Sequence, residues 1–600
     1  MVSNKGTIFK KGPVTYFFVY ITLILVGVFL FDGSLATTYH VAKGGLDSNV
    51  GSSSSPYLTI NKAAQLANPG DTIIVHEGIY REWVQPPRGG SSEDMRITYM
   101  AAKGEQVIIK GSERITEWQN RGNGVWKTDI SDAFFGNYHP YTTTIAGRYT
   151  DDYIKGGIWC HLGEVFLDDM RYDEKQTLQG VQDTLYSWYT DHSGTTTTIY
   201  ANFGSGNPVT QLAEISVRES IFGNPDMSTG INHITVDGFT MTQSAEEWSP
   251  AYLRTPLVSH AVIFVSGTHW IIQNCTVTYA KMRGISIDGP DVVANHIVRN
   301  NVINRCGVSG ISGCFDHGSV ISGNWIQNIG ERTYWGVEHA GIKIHLCKNM
   351  IVSGNIIYKV TVQHWGMGIW LDYAKDGNRI TGNVIIKTND EWLRPENPTG
   401  VNLFDNNIGL DCGEAMLEDG SVYVHNLAFN APIAYRKSYV GTGEGKNGRV
   451  YNNIFIDKSI GDFDLQKNNI SDYNVFMGDA IKTDSDLHSV MDPTNPDLKY
   501  TVDEDARTVT LEFSLDPRAV ELVVPVISST YISVLNDGSS IKNPDGSPLT
   551  IDRDIYQYCK ETEPRIGPFQ NIIDGKETLV LRPNSDFIWD RSCIKLHDEQ

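Results

Sequence analysis

Gly368-Ile-Trp-Leu-Asp372, Asn378-Arg-Ile-Thr-Gly-Asn-Val-Ile-Ile386, Leu393-Arg-Pro-Glu396 and Val401-Asn-Leu-Phe-Asp405 follow one another along the stretch that decides the fold. Its phrase Ile380-Thr-Gly-Asn-Val384 is one of nine of a kind. The others are Ile234-Thr-Val-Asp-Gly-Phe239, Ile271-Ile-Gln-Asn-Cys275, Ile297-Val-Arg-Asn-Asn-Val302, Val320-Ile-Ser-Gly-Asn-Trp325, Ile351-Val-Ser-Gly-Asn-Ile356, Leu403-Phe-Asp-Asn-Asn-Ile408, Val422-Tyr-Val-His-Asn-Leu427 and Val450-Tyr-Asn-Asn-Ile454. Aligned on the residue before the final apolar one, they step by 36, 27, 23, 31, 28, 24, 19 and 27 residues, an irregular but sustained repeat. The Ile and Val flanks suit strands buried in a parallel sheet. Asn or Gly tolerates the left-handed backbone needed at a turn, and Asn recurring at one turn predicts stacked amides. No single coil can bury its own apolar side, so coils must stack. The expected fold is all-β: a right-handed parallel β-helix over residues 218–490.

Outward from that core the pattern changes twice. Residues 37–117 read as the first coils with a capping helix at Tyr57–Ala67, a device that keeps the end of a strand stack from pairing with other chains. Residues 118–217 carry alternating strands such as Gly163–Tyr172 and Thr195–Asn202, which predict an inserted β-sandwich. Its aromatic stretch Phe134-Phe-Gly-Asn-Tyr-His-Pro-Tyr141 is either a hairpin core or a lip over a ligand site. Beyond residue 490 the repeat stops, and 491–600 reads as a small β-rich segment. At the other end, Lys5, Lys10 and Lys11 precede the apolar run Val14–Phe31 and the small residues Ser34-Leu35-Ala36. Residues 1–36 are therefore expected to be a signal peptide, cleaved or retained as an anchor, that places the chain outside the cytoplasm.

Composition narrows the chemistry. A net charge of −21 argues against nucleic acid or an anionic membrane surface as partner. Eight cysteines without Cys-x-x-Cys spacing give no zinc signature, and no metal or organic cofactor is expected. Cys559 and Cys593 are candidates for a disulfide. Asp372 and Glu396 lie 24 residues apart, close to one repeat. On neighbouring rungs, ~4.8 Å apart, they would share a face. Singly, Asp372 is a strand-capping acid or a catalytic one, and Glu396 reads as a loop acid; the shared interval favours a working pair. One coil earlier, Trp335, Glu338, His339, Lys343 and His345 cluster, with Lys343 and His345 on one face of a strand. That group suits either sugar hydroxyls, with Trp335 and Trp370 as aromatic neighbours, or a buried salt-bridged ladder. Asp316 and His317 are weaker candidates.

The chain resembles glycoside hydrolase family 120 through Thr59-Ile-Asn-Lys-Ala-Ala64, Gly70–Trp83, Ile109-Lys-Gly-Ser-Glu-Arg-Ile115, Glu338-x-Ala-Gly-Ile-Lys343, Gly368-Ile-Trp-Leu-Asp372, Val450-Tyr-Asn-Asn-Ile-Phe455 and Pro544-Asp-Gly546. The resemblance implies a retaining β-xylosidase on a β-helix with an inserted sandwich. It implies Asp372 as nucleophile and Glu396, nine residues before Asp405-Asn-Asn407, as acid/base. Glu396 departs from the family pattern in being followed by Asn-Pro-Thr-Gly, and Val337 stands where the family tends to have His. The expectation is thus a secreted retaining exo-glycosidase acting on an oligosaccharide of plant cell walls. The alternatives are a polysaccharide lyase and a non-catalytic carbohydrate-binding solenoid.

Overall fold

The computed structural model describes residues 36–586 apart from 146–153, 226–229, 248–260, 266, 289–292, 333, 337, 363–364, 436–443, 462, 493–495, 533–539, 561–563 and 572–574. The expected export signal lies outside the described residues, and among these no helix is long and apolar enough to cross a membrane. Ile and Val at the middle of each repeat phrase point inward and close the core: Val298, Ile321, Val352, Ile380 and Phe404 are fully buried. Burial of each such side chain contributes about 1.5–3 kcal/mol. The strands that carry them stack in parallel, Val298 beside Ile321, Ile321 beside Val352 and Val352 beside Ile380. Three parallel sheets result, two of 13 strands and one of 9. This is a parallel β-helix.

The polar half of the phrase divides its labour between two residues. Asn301, Asn324, Asn355, Asn383, Asn407, Asn426, Asn453 and Asn474 form a continuous ladder. Each Oδ1 from Asn324 onward accepts both the backbone N–H and the side-chain amide of the preceding rung's Asn, at 2.8–3.1 Å. The left-handed backbone falls one place earlier, on Asn300, Gly323, Gly354, Gly382, Asn406, His425, Asn452 and Tyr473. The sequence alignment merged these two columns. It placed Gly238 and Asn274 among the ladder residues, whereas both occupy the left-handed column. Their rungs put Phe239 and Cys275 at the ladder position, and the Cys275 N–H donates to Asn301 at 2.9 Å.

The first end of the solenoid is covered by the helix Ile60–Leu66, which buries Ile60, Ala63 and Ala64 and is capped by the Thr59 hydroxyl. Near the other end a three-stranded antiparallel sheet packs Val509, Leu511 and Phe513 against Leu427 and Ile454 of the solenoid's flank. Between these, Ile97–Ala101 pairs directly with Ile234–Asp237. The chain from Ser112 to Ser216 therefore leaves the stack and returns. It folds into an antiparallel sheet of four strands and a mixed sheet of five around Trp118, Tyr141, Val165, Trp188 and Phe203. Buried ion pairs dock this insert. Glu214 meets Arg81 and Lys110, the latter at 2.7 Å, and Glu164 meets Arg332 at 3.0 Å and Lys281 at 3.4 Å. Cys160, Cys275, Cys306, Cys314, Cys347 and Cys412 are buried thiols outside any disulfide. Cys559 is disulfide-bonded; Cys593, its expected partner, lies outside the described residues.

Candidate active site

The candidate residues lie on the nine-stranded sheet. Four of its strands matter: β1 (Ser309–Cys314), β2 (Ala340–His345), β3 (Met367–Asp372) and β4 (Leu393–Glu396). Gly310, Gly341 and Gly368 let this sheet close onto the core. A Cβ on any of them would come within 2.6–2.7 Å of Ile326, Ile357 or Ile385. Alternation then sets the outward side chains. Ile342, Ile344, Ile369, Leu371 and Leu393 are sealed inside. Facing out are two in-register columns, Lys343–Trp370–Arg394 and His345–Asp372–Glu396. Asp372 and Glu396 are direct backbone partners on adjacent strands.

Asp372 is 7% exposed. Lys343 Nζ lies 2.9 Å and His345 Nδ1 3.0 Å from the same oxygen, Oδ2. Burial alone would push the Asp372 carboxyl up, but Lys343 and then His345 outweigh it and hold the carboxyl well below the usual range. Lys343, itself buried, is also 2.9 Å from Glu338, and Glu338 lies 3.2 Å from Arg283. Burial disfavours the Lys343 ammonium, yet Asp372 and Glu338 together raise its pKa above the ordinary lysine value.

Glu396 is buried and gripped by donors. Trp370 Nε1–H donates to Oε2 at 3.0 Å, and Arg394 reaches Oε1 at 2.9 Å and Oε2 at 3.3 Å. The same guanidinium meets the buried Glu391 at 3.1 Å. Burial, ahead of the opposing pull of Arg394, raises the Glu391 carboxyl. Both faces of the Trp370 ring are covered, by Lys343 Nζ at 3.7 Å and Arg394 at 4.8 Å from the centroid. Trp370 therefore orients Glu396 and does not offer a free face for stacking.

The cluster read from the sequence is thus brought together as a salt-bridged ladder through Glu338, Lys343 and His345. His339 is buried. The strand Trp335–Gly336 pairs with Ile154–Gly156 of the insert, while the Trp335 side chain and Val337 lie outside the described residues. Asp316 is fully buried and accepts the Ser319 hydroxyl, a structural role. Three participants were missed by sequence reasoning: Arg283, Arg394 and Tyr373. Tyr373 follows Asp372, is 38% exposed and sits with its ring 5.4 Å from His345. Arg394 was within reach of the alternation rule, two places before Glu396.

Comparison with known proteins bears on the fold and its insert. Residues 115–184 match the glycoside hydrolase 120 insertion domain, and 230–426 match the right-handed β-helix region. A solved structure of XylC in complex with xylose is 27% identical, with a TM-score of 0.78 over 90% of this chain and 100% of that one. A second glycoside hydrolase structure is 14% identical over 76% of this chain and 97% of that one, with a TM-score of 0.43. Pectate lyase Pel9A is 12% identical over 72% of this chain and 79% of that one, at a TM-score of 0.37. These two are too distant to bear on function. No curated protein sequence matches. Fold, insert and neighbour together make the protein a glycosidase of the right-handed β-helix class. More narrowly, its resemblance to glycoside hydrolase family 120 is shown: the chain carries that family's insertion domain on the expected solenoid.

Proposed function

We propose that the protein is a retaining β-xylosidase that releases xylose from the ends of xylo-oligosaccharides outside the cytoplasm. The observation that carries this reading is the in-register pairing of Asp372 with Glu396 across β3 and β4. Strands ~4.8 Å apart suit the ~5–5.5 Å carboxyl separation of double displacement, not the ~6.5–9.5 Å of an inverting pair. Asp372 stays ionised, with Oδ2 held by Lys343 and His345, and its Oδ1 attacks the anomeric carbon. Glu396 gives its proton to the departing oxygen, then takes one from the water that frees the sugar. Arg394, shared with Glu391, steadies Glu396 between the two steps. XylC, bound to xylose in its crystal, supports xylose as the sugar.

A lyase acting on uronates would want a cation free for the substrate carboxylate. Lys343 is held by Asp372 and Glu338, and Arg394 by Glu391 and Glu396. The test is hydrolysis of aryl β-xyloside followed by NMR, with β-xylose expected as the first product. Glu396→Gln should lose about 10²–10⁴-fold in kcat for poor leaving groups, and Asp372→Asn should lose nearly all turnover. First-formed α-xylose, or full activity in either variant, would refute the assignment.

A further inference from the structure

A second cluster of chemistry-bearing side chains lies in the insert, away from the carboxylate pair. The turn Asp132–Phe134 leaves the strand Val125–Ser131, and the loop after it returns His139 over the sheet edge. The hairpin strand Ser187–Ser193 brings His192 to the same place. His192 Nε2 is 2.8 Å from Asp132 Oδ2, and His139 Nε2 is 3.2 Å from Asp132 Oδ1. The three ligand-type atoms all lie within 4.8 Å of one another. Bonds of ~2.0–2.1 Å in a tetrahedral zinc site imply ligand-to-ligand edges of ~3.3 Å. The observed spacing brackets that value, so small side-chain adjustments suffice.

Charge and orientation point the same way. Among the described residues Asp132 pairs with no Lys or Arg; its carboxylate meets His192, His139 and Thr197. The Thr197 hydroxyl is 3.0 Å from Asp132 Oδ1 and 2.9 Å from His139 Nε2, an outer partner for both. His139 Nδ1 is buried without a hydrogen bond, so the ring's polar contacts run through Nε2. The other histidine–carboxylate group, Glu93 with His233 and His269, differs in charge: there Arg96 grips Glu93.

We propose that Asp132, His139 and His192 form a binding site for a divalent transition-metal ion of the zinc type, with water completing the shell. The ion clips the aromatic loop Phe134–Tyr141 to the hairpin. The His139 ring lies 4.1 Å from that of Phe135 in that loop, tilted by 34°, and Tyr138 donates its hydroxyl to the Ala245 carbonyl of the solenoid. Metal occupancy therefore stiffens the seat of the insert on the solenoid. The site stands independently of the carboxylate pair and of any sugar.

The full chain, stripped with chelator and dialysed, is titrated with Zn²⁺ by calorimetry. Saturable binding of one ion is expected, with a rise in Tm. His192→Ala, a change at a partly exposed ring, should weaken it at least ~10-fold, while Glu93→Gln should leave it unchanged. As a check needing no variant, Zn²⁺ should protect His139 and His192 from diethyl pyrocarbonate but not the exposed His488. No saturable binding, equal affinity in His192→Ala, or no protection of the two rings would make the group a hydrogen-bonded cluster only and overturn the proposal.

Discussion

Removing Lys343 would leave Asp372 and Glu338 buried and facing one another without their shared cation. Lys343→Met is expected to cost about 3–5 kcal/mol, read as a fall in Tm. The same change has a signed effect on pH dependence. Burial pushes Asp372 up and Lys343 more than reverses it, so the folded value lies below the unfolded one. The associated stability is complete above the ordinary carboxylate range and is lost as pH falls through the depressed value. Asp372 in the wild type should therefore not set the acid limb of kcat/KM in mildly acid buffer. In Lys343→Met that limb should move up by about one unit or more. Trp370→Phe keeps a ring between the two cations but removes the N–H donated to Glu396. It should lower kcat/KM by about 1.5–3 kcal/mol, with a fall in Tm as well from the lost buried hydrogen bond and ring volume. Asp372 and Glu396 were legible in the sequence because their interval matches the repeat. Arg394 was within reach of the same alternation but was passed over, because the charged stretch up to Pro395 and Glu396 read as a loop. That proline sits in a strand whose next neighbour pairs with it only at Leu393 and Ala415.

At the scale of the repeat, ladder and turn positions should respond differently to substitution. Asn383→Ala removes the oxygen that accepts both the N–H and the amide of Asn355, deep in the core. Leaving those donors unpaired should cost on the order of 3 kcal/mol. Asn274 is exposed and left-handed, so Asn274→Gly should be neutral within about 0.5 kcal/mol or slightly stabilising. Calorimetric unfolding of the two variants checks that ranking. The sequence showed that Asn and Gly recur, hence the stack. It could not separate the columns, because either residue satisfies the left-handed turn while only Asn can build the ladder. Phrases such as Ile297-Val-Arg-Asn-Asn-Val302 hold both jobs side by side.

Across the whole molecule the insert is held by charge as well as by apolar packing. Glu164→Gln would strand Lys281 and Arg332, both buried at the joint. A loss of about 3–5 kcal/mol is expected, seen as faster proteolytic nicking between insert and solenoid. The change from a solenoid period to alternating strands announced the insert. Its docking partners are scattered from Arg81 to Arg332 and no local pattern joins them. The detour also bears on how the chain is made. Elsewhere each coil can settle as soon as the next one emerges from the ribosome, since its neighbour is the following repeat. Ile97–Ala101 and Val107–Lys110 must instead wait for Ile234–Asp237 and Thr240–Thr242, with the insert synthesised in between. At about 5–20 residues per second, that leaves a naked strand edge open for on the order of ten seconds during translation. Ribosome-arrested chains ending shortly before Ile234 should be the lengths most prone to aggregate and most strongly held by chaperones.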